Sequence, residues 1–134
     1  MQCDLRVAVA LACVPFGTGS EIKFLVSKQQ PCEMPTTPAV PGEEPLQTTS
    51  DFLRRLVGVG ARMGDKGWVE MRLGAVVTLS VDPWSILLVY GGMVPEELAV
   101  REEGYEWKTW TSLGRQGAAD PLHLKNMLMA AQKI

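Results

Sequence analysis

The order of local patterns along the chain predicts an α/β domain with helices on the faces of a mixed β-sheet. Three observations point there. Two strand-like segments near the start are joined by a Gly-rich turn. A Pro-rich stretch then leads into one short amphipathic helix. Beyond it, a nearly continuous apolar run, Ser85 to Met93, reads as a central strand covered on both faces.

The elements follow in order. Arg6 to Phe16 is rich in Val, Ala and Leu and ends in Pro-Phe-Gly-Thr-Gly. Glu21 to Gln30 alternates, so the two segments form a hairpin. Residues 31 to 45 carry Pro31, Pro35, Pro38, Pro41 and Pro45, which excludes a helix and predicts a long loop. Thr48, Thr49 or Ser50 caps a helix with the body Asp51 to Val59. Its apolar stripe is Phe52, Leu53, Leu56 and Val57, with Arg54 and Arg55 on the polar side and Gly58 and Gly60 ending it. Trp68 to Val81 reads as one long strand or two short ones, and Asp82-Pro83-Trp84 as a turn. Gly91-Gly92 reads as a turn at the end of the sheet. Glu102 to Trp110 alternates as a strand, and a helix opens at Asp120-Pro121.

Composition narrows the function classes. A chain of 134 residues is expected to form one domain, residues 1–134. A net charge of −2 supplies no global field for nucleic acid or anionic membrane. No run approaches the ~18 apolar residues of a membrane span. The apolar start lacks a basic leader, so it reads as a first strand. Three cysteines without CxxC spacing suit neither a disulfide framework nor a zinc site, and point to cytoplasm or another reducing compartment. A single histidine, His123, excludes a two-histidine mechanism.

The stretch Cys32 to Val59 resembles the Nudix box of MutT-like hydrolases. That box runs glycine, five residues, glutamate, seven residues, Arg-Glu-aliphatic, one residue, Glu-Glu, one residue, Gly-aliphatic. Met34-Pro35 supplies the apolar-Pro lead, and Thr36-Thr37 stand where two glycines are expected. Gly42-Glu43, Leu53 and Gly58-Val59 match in register. Asp51-Phe52 replaces Arg-Glu, and Arg55-Leu56 replaces the Glu-Glu pair. Glu102, Glu103, Glu106 and Trp107 resemble the family's late acidic and aromatic region. The resemblance implies a Nudix-like α/β/α sandwich with a mixed sheet and a degenerate box.

The family's helix holds Mg2+ or Mn2+ with carboxylates, which polarise a diphosphate and activate water. Phe52 and Leu56 cannot ligate a metal, and Arg55 repels one. Without its cofactor metal the chain is expected to be a pseudoenzyme that binds a nucleotide or another phosphorylated ligand. Arg54 and Arg55 would hold phosphate and Trp107 would stack a base. A role as a subunit of a larger complex, or as a homodimer, is the companion expectation. The alternative is an active hydrolase of nucleoside diphosphate derivatives, with Glu43, Asp51 and Glu103 as relocated carboxylates holding Mg2+ or Mn2+. Glu43 is otherwise expected to be solvated or to pair with Arg54 or Arg55, and Asp51 to sit in the first turn of the helix. Trp84 is expected to be exposed at a contact surface.

Overall fold

The strand β1, Cys3–Cys13, organises the molecule. Its alternation explains why. Val7, Val9 and Leu11 point to one face, while Ala8, Ala10 and Ala12 point to the other, and all six are fully buried. A strand buried on both faces must lie inside a sheet. In the computed structural model, which describes residues 3–13, 22–29, 32–59, 69, 71–109 and 111–112, that sheet has six strands.

The remaining strands are β2 (Lys23–Ser27), β3 (Thr36–Pro38), β4 (Arg72–Val81), β5 (Trp84–Val94) and β6 (Tyr105–Thr109). The order is β4-β5-β1-β2-β6, with β3 also on β1. β1 runs parallel to β5 and antiparallel to β2 and β3, so the sheet is mixed as expected. β4 pairs antiparallel with β5, and β6 with β2. The predicted hairpin pairing is present, with Ala12 opposite Phe24.

One edge of β1 is shared by two partners. Ala12 and Cys13 pair with β2, whereas Arg6, Val7 and Ala8 pair with β3. The Pro-rich segment expected as a loop therefore contributes a short strand. It is anchored by backbone bonds from Val9 to Pro35 and from Ser27 to Glu33, each 2.9 Å. Buried Cys32 and Met34 pin its start, and Lys108 Nζ donates to Cys32 Sγ at 3.3 Å.

The helix α1 spans Pro45–Val57 and lies on the Val7, Val9 and Leu11 face. It begins at Pro45 rather than Asp51, because proline is preorganised for the first helical position and needs no N–H partner there. Thr48, Thr49 and Ser50 are thus buried helical residues and not caps. The Thr49 hydroxyl donates to the Pro45 carbonyl at 2.8 Å, which satisfies it inside the helix. Phe52, Leu53, Leu56 and Val57 form the expected buried stripe. Gly58 ends the helix in the left-handed region (φ 80°), its N–H bonding the Arg54 carbonyl at 2.8 Å. Arg101 N–H closes the Leu56 carbonyl at 2.7 Å, so the helix end is tied to the chain before β6.

Three further boundaries differ from expectation. Gly91 and Gly92 are not a terminal turn; they lie buried within β5, opposite Ala10 and Leu11. β4 starts at Arg72, and Trp68 lies outside the described residues. β6 starts at Tyr105, because Gly104 takes φ 96° in the turn before it. The Asp82-Pro83 turn and the exposed Trp84 are found as expected. The helix expected from Asp120, with His123, lies outside the described residues, as does Trp110.

Two fold-level outcomes are expected. Leu53→Ala should destabilise the protein by about 2–5 kcal/mol in urea unfolding, since the side chain is fully buried under α1. Gly58→Ala should cost about 1–2 kcal/mol, because its backbone is left-handed and the new methyl would meet the Arg101 guanidinium. A Gly58→Ala midpoint equal to that of the parent would refute this account of the cap.

Candidate functional site

The face of α1 where the resemblance expects glutamates is built into the core. Phe52 is 3% exposed and Leu56 is 0% exposed. They pack with Val7, Val9, Leu11, Leu25, Met71 and Tyr90. Arg55 is exposed, and its guanidinium lies 5.2 Å from the centre of the Phe52 ring. Arg54 is also exposed. These residues do not suit a magnesium or manganese ion: two are apolar and buried, and the third is a cation.

The candidate carboxylates occupy separate settings. Glu43 Oε1 accepts a hydrogen bond from the Thr48 hydroxyl at 3.0 Å, rather than pairing with Arg54 or Arg55. Asp51 is exposed at mid-helix, not in the first turn, and accepts from Gln47 Nε2 at 3.1 Å. Glu103 stands in the turn before β6. Among the described residues, no three His, Cys, Asp or Glu side chains gather closely enough to hold a metal ion.

A cavity of about 510 Å3 opens beside the point where β1 changes partners. Its walls include Arg6 on β1, Lys28 after β2, Glu33 and Thr36 around β3, and Glu103 and Tyr105 at the start of β6. The cause is topological. β2 leaves β1 with β6, β3 takes its place, and the space between the diverging strands is not filled. Arg6 Nε is buried there and has no hydrogen-bond partner. Such a donor costs about 1–3 kcal/mol.

The other walls add donors and acceptors. Burial pushes the Tyr105 phenol above its ordinary range; Glu102 adds to this and Arg55 opposes it. Tyr105 is thus a neutral hydroxyl at physiological pH. Ser27 Oγ is engaged by the Glu33 backbone N–H at 3.0 Å. Trp107 is half-buried against the α1-side core and donates from its indole to the Leu98 carbonyl at 2.9 Å.

Of the six residues expected from the sequence, only Glu103 lines this cavity. Arg54 and Arg55 lie on α1, and Trp107 lies two residues along β6 from Tyr105. Arg6 was missed. A single arginine at the head of an apolar strand has no local signature; its unpaired nitrogen exists only once β2 and β3 have diverged.

No family profile matches the sequence, and no curated protein matches it. Solved structures do. The C-terminal domain of mouse MUTYH, solved with human PCNA, superposes with a TM-score of 0.68 at 17% identity, over 96% of this chain and 87% of that one. The Nudix domain of Shewanella oneidensis NrtR, solved with ADP-ribose, gives 0.69 at 15% identity, over 99% and 89%. The Escherichia coli dihydroneopterin triphosphate pyrophosphohydrolase gives 0.67 at 7% identity, over the full length of both chains. The fold is therefore Nudix-like. Identities this low speak for the fold alone.

Installing the family's acidic residue at position 56 should unfold rather than activate this protein. Leu56→Glu would place an unpaired carboxylate in the core and should cost about 3 kcal/mol or more in thermal or urea unfolding. A stable Leu56→Glu protein that binds Mg2+ would refute this reading of the helix.

Proposed function

We propose that this chain is a single Nudix-fold domain, residues 1–134, that binds a nucleotide or related phosphorylated ligand without hydrolysing it by the family's metal mechanism. One observation carries the second half: Phe52 and Leu56 are core residues where the resemblance expects metal-binding glutamates. A side chain that holds the helix on the sheet is not available to hold a cation.

The cavity supports the first half. Arg6 and Lys28 offer charged donors, Glu33 and Glu103 offer acceptors, and Tyr105 offers a neutral hydroxyl. This mixture suits a ligand bearing both acceptor and donor edges, as a nucleobase does. Arg55 is an exposed cation on α1, of the kind that pairs well with a phosphate. NrtR, of the same fold, was solved with ADP-ribose. None of the three cysteines is in a disulfide, which agrees with a reducing intracellular compartment. No described helix is long and apolar enough to cross a membrane.

A second reading, a protein-binding subunit, is favoured by the MUTYH domain, which was solved in complex with PCNA. The two readings are compatible if the ligand site and the protein surface are separate.

Calorimetry with ADP-ribose and with nucleoside triphosphates, with and without Mg2+, tests the proposal. Binding should persist without metal and no phosphate should be released. Arg6→Ala should weaken it about tenfold or more, as expected for a hydrogen bond to a charged donor. Arg6→Ala should leave unfolding stability unchanged or raised, since a buried unpaired donor is removed. Mg2+-dependent turnover that disappears in Asp51→Asn and Glu103→Gln would establish the relocated hydrolase instead.

A further inference from the structure

The last turn of α1 gathers positive charge that the packed seam beneath it does not explain. Arg54, Arg55 and Arg101 are all exposed, and none belongs to the core. Arg101 reaches α1 from the chain between β5 and β6. Its N–H bonds the Leu56 carbonyl at 2.7 Å, and its guanidinium lies over Gly58, where a Cβ would meet its Cζ and Nε. Gly58 is therefore a seat as well as a helix stop, since the missing side chain leaves the space that the guanidinium fills.

Arg55 is placed from the other side. Its guanidinium lies back over the Phe52 ring, 5.2 Å from the centre. Phe52 and Gly58 are six residues apart, about 9 Å along the helix axis. The two guanidiniums thus bracket the end of α1. Among the described residues, neither has a carboxylate within ion-pair distance. Asp51, one turn before Arg55, accepts from Gln47 instead. Arg54 has an interaction of its own and is left out of the pair.

Cations near a helix C-terminus offset its dipole. That role accounts for arginines within the last turn. It does not account for a third one brought in from a distant segment and given a glycine to lie on. Like charges held along one turn repel, and an anion between them relieves the repulsion. Arginine forks bind phosphate oxygens through parallel N–H···O bonds. One carboxylate is too short to reach both heads. A diphosphate carries acceptor oxygens on two linked groups and can engage both.

We propose that Arg55 and Arg101 form a diphosphate-binding site at the C-terminal end of α1, with Gly58 as the seat of Arg101. The proposal deepens the ligand reading above and rests on it for phosphate as the anion. The positive charge that a metal ion brings to a diphosphate is supplied here by two guanidinium groups.

Inorganic pyrophosphate, titrated without divalent metal, probes the site directly by calorimetry and by the rise in the thermal midpoint. The parent protein should bind it, and less tightly as sodium chloride is raised. Arg55→Gln and Arg101→Gln, both at exposed positions, should each raise the dissociation constant about tenfold or more while circular dichroism stays unchanged. Arg101→Lys, which keeps the charge without the fork, should recover only part of the loss. Absence of binding would overturn the proposal, as would binding indifferent to both glutamine substitutions. Nucleotide binding that needs Arg6 but neither Arg55 nor Arg101 would also overturn it, and would leave the ligand reading standing. Pyrophosphate binding through both arginines, with no binding of nucleotides, would keep this site and sink the cavity reading.

Discussion

The contact between α1 and β1 supports everything else in this molecule. Phe52, Leu53, Leu56 and Val57 are held against Val7, Val9 and Leu11. Burying one such side chain is worth about 1.5–3 kcal/mol, so this seam amounts to a large share of a small domain's net stability. The seam also constrains function. In a helix with 3.6 residues per turn, positions 52 and 56 lie one turn apart on one face. Once that face is apolar and packed, it cannot at the same time present carboxylates to a metal. Stability and the metal site compete for the same stripe of α1, and here packing occupies it.

The second constraint is the pairing along β1. Its parallel pairing with β5 runs the full length of the strand, while its other edge is divided between β2 and β3. The division has two consequences. It gives the Pro-rich segment backbone partners, and it opens the space that Arg6, Glu33 and Tyr105 surround. A polar cavity at a strand divergence needs no dedicated motif. It follows from filling the regular part of the sheet and leaving the irregular part open. The packed face of α1 and the polar cavity therefore have independent causes in the structure.

Much of the architecture could be read from the chain because it rests on local periodicity. The alternation in β1, the helical stripe from Phe52 to Val57, the Gly58 stop and the central β5 are all short-range signals, and each is present. Hydroxyl residues are good caps, yet Pro45 opens α1 from further upstream, so the helix starts before the Thr48-Thr49-Ser50 run. A glycine pair such as Gly91-Gly92 reads as a turn, while here it lies within β5 as that strand runs on beside β1. Glu43 takes Thr48 as its partner because the longer helix brings the two together.

The sequence by itself determined the class of fold, the apolar identity of the α1 face and hence the absence of metal ligands from it. Those properties depend on residue type and spacing within a few turns or strand pairs. Only the tertiary structure decided where the cavity lies, that Arg6 lines it with its Nε buried and without a partner among the described residues, and that Asp51 and Glu43 are engaged elsewhere. Each of those depends on which strands are neighbours and in what register, and pairings between distant segments leave no trace in local periodicity.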